Sequence, residues 1–363
     1  MADSVLEQIA ALRDEDGGVR EEAATALGEL RDSRAIGPLL RVLKDSDRAV
    51  RHAAITSLTA IGPAAVEPVG ACLNDGDLTV QESAASILSE IGDARVADLL
   101  MAALQSSDWI VRMHSAKALG RIGDARAVPR LMPLLQDKVK AVRVEVADAL
   151  ASIAGEAIPS LLEALKHPEW LVRLHAVEAL GKIKPPDAVE PLLSLLFNDR
   201  DGAVREDAVR SLGEIGDPRA VESLLTAMAD GRVRVPAVEA LGKIGDRRAV
   251  PALIGVVAGT SKPTQSRPID GCGDRWDEEM LAMGAAVKAL KQIRDEGTIP
   301  TLIAALRNTA IRAEAAAALV AFGQPALPSL LDVFKKEQDE NILLNVKDAL
   351  AQLGWRQEAK RQK

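Results

Sequence analysis

Four histidines (His52, His114, His167 and His175) and two cysteines (Cys72 and Cys272) are the residues of this 363-residue chain best suited to bind a metal, move a proton or attack a substrate. His114 and His175 stand in near-copies of one motif, Asp108-Trp109-Ile110-Val111-Arg112-Met113-His114-Ser115 and Glu169-Trp170-Leu171-Val172-Arg173-Leu174-His175-Ala176. Glu145 holds the same place in the stretch between them, so the chemistry to weigh first is acid–base work by His114, Glu145 and His175. Solvated or partner-binding side chains explain the same three residues with fewer assumptions. Distance argues against a shared metal ion: packed helices lie roughly 8–10 Å apart, and two such steps exceed metal–ligand bonds of about 2 Å. His167 precedes Pro168 in a turn and is expected in solvent. The cysteines are far apart, with neither metal spacing nor a disulfide framework. No basic pair flanks Cys272 to activate its thiol, and the chain has no Gly-rich phosphate loop or nucleophile elbow. We therefore expect no catalytic residue, no metal site and no cofactor.

The two copies offer a contact surface instead. Helical spacing sets Trp109 over Met113 and Ile110 over His114, and repeats the pairing as Trp170 over Leu174 and Leu171 over His175. Lys140, Ala141, Val144, Glu145 and Asp148 come between them, and Glu206, Asp207 and Arg210 follow. Exposed tryptophan marks a contact site; the competing expectation is that both rings fold down over gaps between repeats and merely cap the core. The candidate partner-binding residues are Trp109, Ile110, Met113, His114, Glu145, Asp148, Trp170, Leu171, Leu174, His175, Glu206 and Arg210, with Trp276 from an inserted segment. Across the chain the equivalent positions hold twelve acidic and six basic side chains, the wrong balance for tracking phosphates. The expected partner is a basic or amphipathic protein segment, and neither nucleic acid nor a membrane.

These faces exist because the chain repeats. Aligning on the leucine of Ala-Leu-Gly marks Leu27, Leu58, Leu88, Leu119, Leu150, Leu180, Leu212, Leu241, Leu290, Leu319 and Leu350, eleven units spaced 29 to 32 residues apart except for one step of 49. Such a period signals a stack of identical supersecondary units. The bounds run 1–31, 32–62, 63–92, 93–123, 124–154, 155–184, 185–216, 217–245, 246–294, 295–323 and 324–354, with a tail at 355–363. Each unit reads as two helices. The first is typified by the run from Arg126 to Leu135, whose Pro129 falls in the first turn, where an amide is dispensable. The second carries Val111, Ser115, Ala116 and Leu119, a stripe that only neighbouring units can bury. Gly-Asp, as in Gly92-Asp93 and Gly123-Asp124, closes a unit with a left-handed glycine and caps the next helix with aspartate. The arginines of the Val-Arg pairs (Arg20, Arg51, Arg112, Arg143, Arg173, Arg205, Arg234 and Arg312) are expected to form a ladder, each bonding a carboxylate or carbonyl of the adjoining unit. The excess length of the ninth unit, 260–276, is expected to be a loop on one rim, with Cys272 and Trp276 either anchored over the face or idle. Trp355 is expected to cover the last helix pair.

Apolar residues make up 48% of the chain but aromatics only 2%, with no tyrosine, which suits helices packed closely on helices. The net charge of −8 favours solubility. No run approaches 18 uninterrupted apolar residues, and Met1-Ala2-Asp3 opens into a polar helix start. Val-Arg-x-x-Ala followed by Ala-Leu-Gly-x-Ile-Gly-Asp resembles HEAT repeats of the short, phycobilin-lyase-like type, from about Ser4 to Gly354. That resemblance implies an all-α, right-handed α-solenoid of about eleven HEAT-like helix pairs in a single domain, with second helices on the concave side. Proteins of this kind include scaffolds, bilin lyases, iron-dependent hydroxylases and DNA-binding enzymes. The His-Glu pairs of the hydroxylases are missing, since Ala53, Ser115 and Ala176 follow His52, His114 and His175. The acidic face departs from the HEAT-like DNA glycosylases. The expected function is a cytoplasmic, bacterial, monomeric scaffold or assembly chaperone that binds protein in an acidic, tryptophan-bearing groove. The alternative implied by the resemblance is a bilin-lyase-like or other tetrapyrrole-handling activity.

Overall fold

The computed structural model describes residues 2–262 and 275–355, without the side chains of residues 2–3 and 275–277. The described residues form twenty-two α-helices joined by short 3-10 turns, and no β-strand. The architecture is an all-α solenoid of successive helix pairs, divided into two compact units, Met1–Ala179 and Leu180–Lys363. No single described helix is long and apolar enough to cross a membrane.

The repeat that contains Trp109 shows why these residues fold as they do. Asp93 accepts the Arg95 amide at 2.9 Å and opens a 3-10 turn, Ala94–Val96, that leads into the short helix Ala97–Ala103. Asp108 then accepts the amides of Ile110 and Val111, at 2.6 and 3.3 Å, and starts the helix Trp109–Ile122. Each aspartate satisfies donors that the first turn leaves without partners. Gly123, at φ 71°, ends the helix in the left-handed region, where a Cβ is penalised. Val111, Ala116 and Leu119 are fully buried, as are Leu100 and Leu104 of the preceding segment. The glycine of Ala-Leu-Gly has its own cause. A Cβ on Gly120 would lie 2.7 Å from the Cα of Ala149 on the next second helix, so the two backbones approach too closely for any side chain.

Three expectations are corrected. The run from Arg126 to Leu135 is not one α-helix: a 3-10 turn precedes Val128–Leu131, and a second one, Met132–Gln136, follows it. Pro133 has no N–H to return to the Pro129 carbonyl and its ring crowds that oxygen, so the α-geometry stops there. Arg234 donates to the Ser261 carbonyl of the adjoining unit, as expected, but the other ladder arginines take their carbonyl partners from the turn of their own unit. Arg112 donates to the oxygens of Ser106 and Ser107, and Arg143 to those of Asp137 and Lys138. The adjoining unit supplies the expected carboxylate to Arg20, from Asp45, and to Arg112, from Asp137. Finally, the segment 260–276 is not loop throughout, because a helix runs Arg275–Ile293 and takes in Trp276. At the end of the chain Trp355 packs edge-on against Phe334, with ring centroids 5.4 Å apart.

Candidate functional site

Within the first compact unit, consecutive second helices present the candidate face. They are Leu78–Ile91, Trp109–Ile122, Lys140–Ile153 and the beginning of Trp170–Ile183. Leu78, Trp109, Lys140 and Trp170 are the first residues of their helices, so one line of side chains crosses the start of all four. Three of these are large, apolar and exposed: Leu78 at 45%, Trp109 at 40% and Trp170 at 41%. Val144, one turn into its helix, is 36% exposed. Neither indole has sunk into the core, although each lies partly against its neighbours. Ile110, Met113, Leu171 and Leu174 are half-buried beside them.

The polar groups behave less uniformly. His114 is half-buried, with Nδ1 3.4 Å from the Ser89 hydroxyl. Burial, and then the charge of Lys117, hold its pKa below the ordinary histidine value against the opposing pull of Glu90. Lys117 is committed elsewhere: its ammonium donates to Glu90 at 2.6 Å, and Arg121 donates to the same carboxylate. His175 is only 2% exposed and lies beneath the face. Its Nε2 accepts from Arg143 Nε at 3.1 Å, and its Nδ1 lies 2.6 Å from Glu178. A guanidinium only donates and a carboxylate accepts, so the hydrogen belongs on Nδ1. Glu145 and Asp148 are half-buried and have partners within the chain. The acidic side chains between the two indoles are thus largely committed to the protein itself. Glu82, alongside Asp108, has its carboxyl pushed above the usual range by burial and by the charge of that neighbour.

Of the remaining candidates, Glu206 and Arg210 lie in the second compact unit, on helix Gly202–Ile215, where Arg210 pairs with both Glu206 and Asp207. The side chain of Trp276, and all of Cys272, lie outside the described residues. Cys72 is half-buried, and burial raises its thiol pKa, the reverse of activation. His52 is on the surface, lining a separate open groove of about 660 Å³ with Glu21, Thr25 and Glu29. His167 turns back on its own loop and accepts the Glu169 amide at 3.1 Å. Among the described residues no three His, Cys, Asp or Glu side chains converge as a metal site.

One feature was missed in the sequence. The second helices before Lys140–Ile153 start on Asp16, Asp47, Asp77 and Asp108, whereas this one starts on Val139 and no side chain caps it. The break in the run of aspartates was the available signal.

The sequence matches HEAT repeats over residues 5–69, 42–114, 66–151, 98–167, 134–206, 158–235, 189–264 and 277–351. That match does not single out the phycobilin-lyase-like type. No curated protein matches the sequence. Similar solved structures include Kap95p, whose binding induces the switch loops of RanGDP to adopt the GTP-bound conformation. It has a TM-score of 0.68 at 15% identity, covering 98% of this chain and 56% of that one. Kap121p bound to the extreme C-terminus of the protein phosphatase Cdc14p gives 0.64 at 12% identity, covering 97% and 46%. Importin beta gives 0.57 at 14%, covering 96% and 65%. The chain spans less than two thirds of each of these, and the likeness is one of fold.

Proposed function

Because the chain belongs to the HEAT-repeat family and leaves two indoles exposed at matching places on its second helices, we propose that it is a protein-binding scaffold whose docking face is built on Trp109 and Trp170. The exposure of these rings carries the reading. A solvated helix start has no use for an indole, whereas a partner's apolar side chain does. Ile110, Met113, Val144 and Leu174 extend the apolar surface between and around them. Structurally similar Kap121p holds a protein C-terminus, which is the same class of task. The partner is an amphipathic segment more than a purely basic one, since Glu90 and Glu178 are already engaged by Lys117 and His175. His114 offers a neutral imidazole at the edge of the patch. His175 acts indirectly, by fixing Arg143 and Glu178 beneath it.

The reading is tested by affinity recovery from the native cell with wild type and with Trp109→Ala/Trp170→Ala. Truncating two central aromatic anchors is expected to cut partner recovery by at least about tenfold, with an unchanged circular dichroism spectrum. Equal recovery by both proteins would refute it.

A further inference from the structure

The line of helix-start residues that carries Trp109 and Trp170 holds a lysine between them, and the surroundings of that lysine differ from those of its neighbours. Lys140 follows Val139 where the four preceding second helices follow an aspartate, and no side chain satisfies the first-turn amides of Lys140–Ile153. The ammonium groups of Lys138 and Lys140 are exposed and make no hydrogen bond or ion pair among the described residues. The nearest carboxylate in the turn, Asp137, is bound by Arg112 at 2.8 Å and by the Val139 amide at 2.8 Å. Two exposed apolar anchors therefore flank a patch of unpaired positive charge.

From this charge complementarity we infer that the occupant of the docking face is an extended protein segment with an acidic residue, aspartate or glutamate, between two apolar side chains. This rests on the docking reading above and adds the identity of the central side chain. The apolar side chains cover Trp109 and Trp170, and the carboxylate lies against Lys138, Lys140 and the helix start. The helices carrying the indoles are two packing steps apart, roughly 16–20 Å. An extended segment advances about 3.3 Å per residue, so its apolar residues stand about five or six positions apart.

The test uses the full chain and fluorophore-labelled synthetic peptides, read by fluorescence anisotropy at low and high salt. Each peptide has two leucines five positions apart, separated in one by aspartates and in its twin by lysines. Wild type is expected to bind the aspartate peptide at least tenfold more tightly than the lysine peptide, with a margin that shrinks as salt rises. Lys138→Glu/Lys140→Glu is expected to invert the preference, and Trp109→Ala/Trp170→Ala to lose both peptides, all with unchanged circular dichroism. The inference is overturned if wild type fails to bind the aspartate peptide, binds the twins equally, or keeps its preference after the charge reversal. If the twins bind equally but binding and native-partner recovery still need the tryptophans, the acidic centre is wrong and the docking face stands. If neither assay responds to the tryptophans, the docking face itself falls.

Discussion

Arg112 and Arg143 occupy the same position in adjacent repeats and begin alike, each donating to the two carbonyls of its own inter-helix turn. They differ in what the next repeat returns. Arg112 meets Asp137 in a two-pronged bridge, 2.8 Å at Nε and 3.0 Å at the terminal nitrogen. The place equivalent to Asp137 is taken by His167 in the following turn, and Arg143 bonds His175 instead, a neutral ring within the second helix. The first arrangement ties repeat to repeat by charge. The second gives up that tie and buries an imidazole instead. Between these two repeats the arginine thus keeps its local task while its long-range partner changes with the residue at the equivalent place in the neighbouring turn.

The difference is large enough to measure. Arg112→Ala strands the Asp137 carboxylate, whose side chain is 6% exposed, and breaking a buried pair from one side costs about 3–5 kcal/mol. Urea denaturation at pH 7 measures it. Burial pushes the Asp137 carboxyl up, but the hydrogen bonds from Arg112 and the Val139 amide, with the charges of Arg112 and Arg143, more than offset this and hold it below its ordinary value. A carboxylate depressed in the folded state contributes stability that is present above its unfolded pKa of about 3.9 and lost as pH falls through the folded value. Acidification below about pH 4 should therefore erode the wild type more than Arg112→Ala, and the gap between them should narrow. A gap independent of pH would remove the charge from this explanation.

Arg143→Ala should cost less. It leaves a neutral ring nitrogen and two turn carbonyls without a donor, about 1–3 kcal/mol for unsatisfied buried polar groups. Measured beside Arg112→Ala under the same conditions, it sharpens the contrast between the two rungs. A loss as large as that of Arg112→Ala would mean that the histidine tie is as strong as the ionic one.

Much of this was legible beforehand because it depends on periodicity. The leucine register, the Val111, Ala116 and Leu119 stripe, the left-handed glycines and the capping aspartates follow from local rules that each repeat obeys separately. The exposed positions of Trp109 and Trp170 follow from the same register, since a helix start lies outside the stripe. What was not legible depends on where long side chains end. Register alone assigned His175 to the open face, but its ring reaches down to Arg143, just as the Lys117 ammonium of the earlier copy reaches across to Glu90. Helical position fixes a Cβ, whereas a partner in the next repeat fixes the tip of the side chain. Pro133 was readable as a proline yet not as the end of an α-helix, because Pro129 four residues earlier is tolerated.

The smallest effect concerns a helix start that departs from the four before it. Val139→Asp would place a capping carboxylate at the first-turn amides of Lys140–Ile153, where none is now present. Aspartate two residues after Asp137 is sterically and electrostatically acceptable, because other turns already carry that pair, as Asp45 with Asp47 and Asp75 with Asp77. Gaining an N-cap is expected to add about 1 kcal/mol of stability, visible as a higher urea midpoint at unchanged slope. Such a gain would show that valine is a stability sacrifice at this turn, in contrast to the capped start one repeat earlier at Asp108. A neutral or destabilising outcome would show that the Val139 side chain returns as much through packing as a cap would supply. The uncapped start would then be a consequence of packing, with no selection for an open helix end.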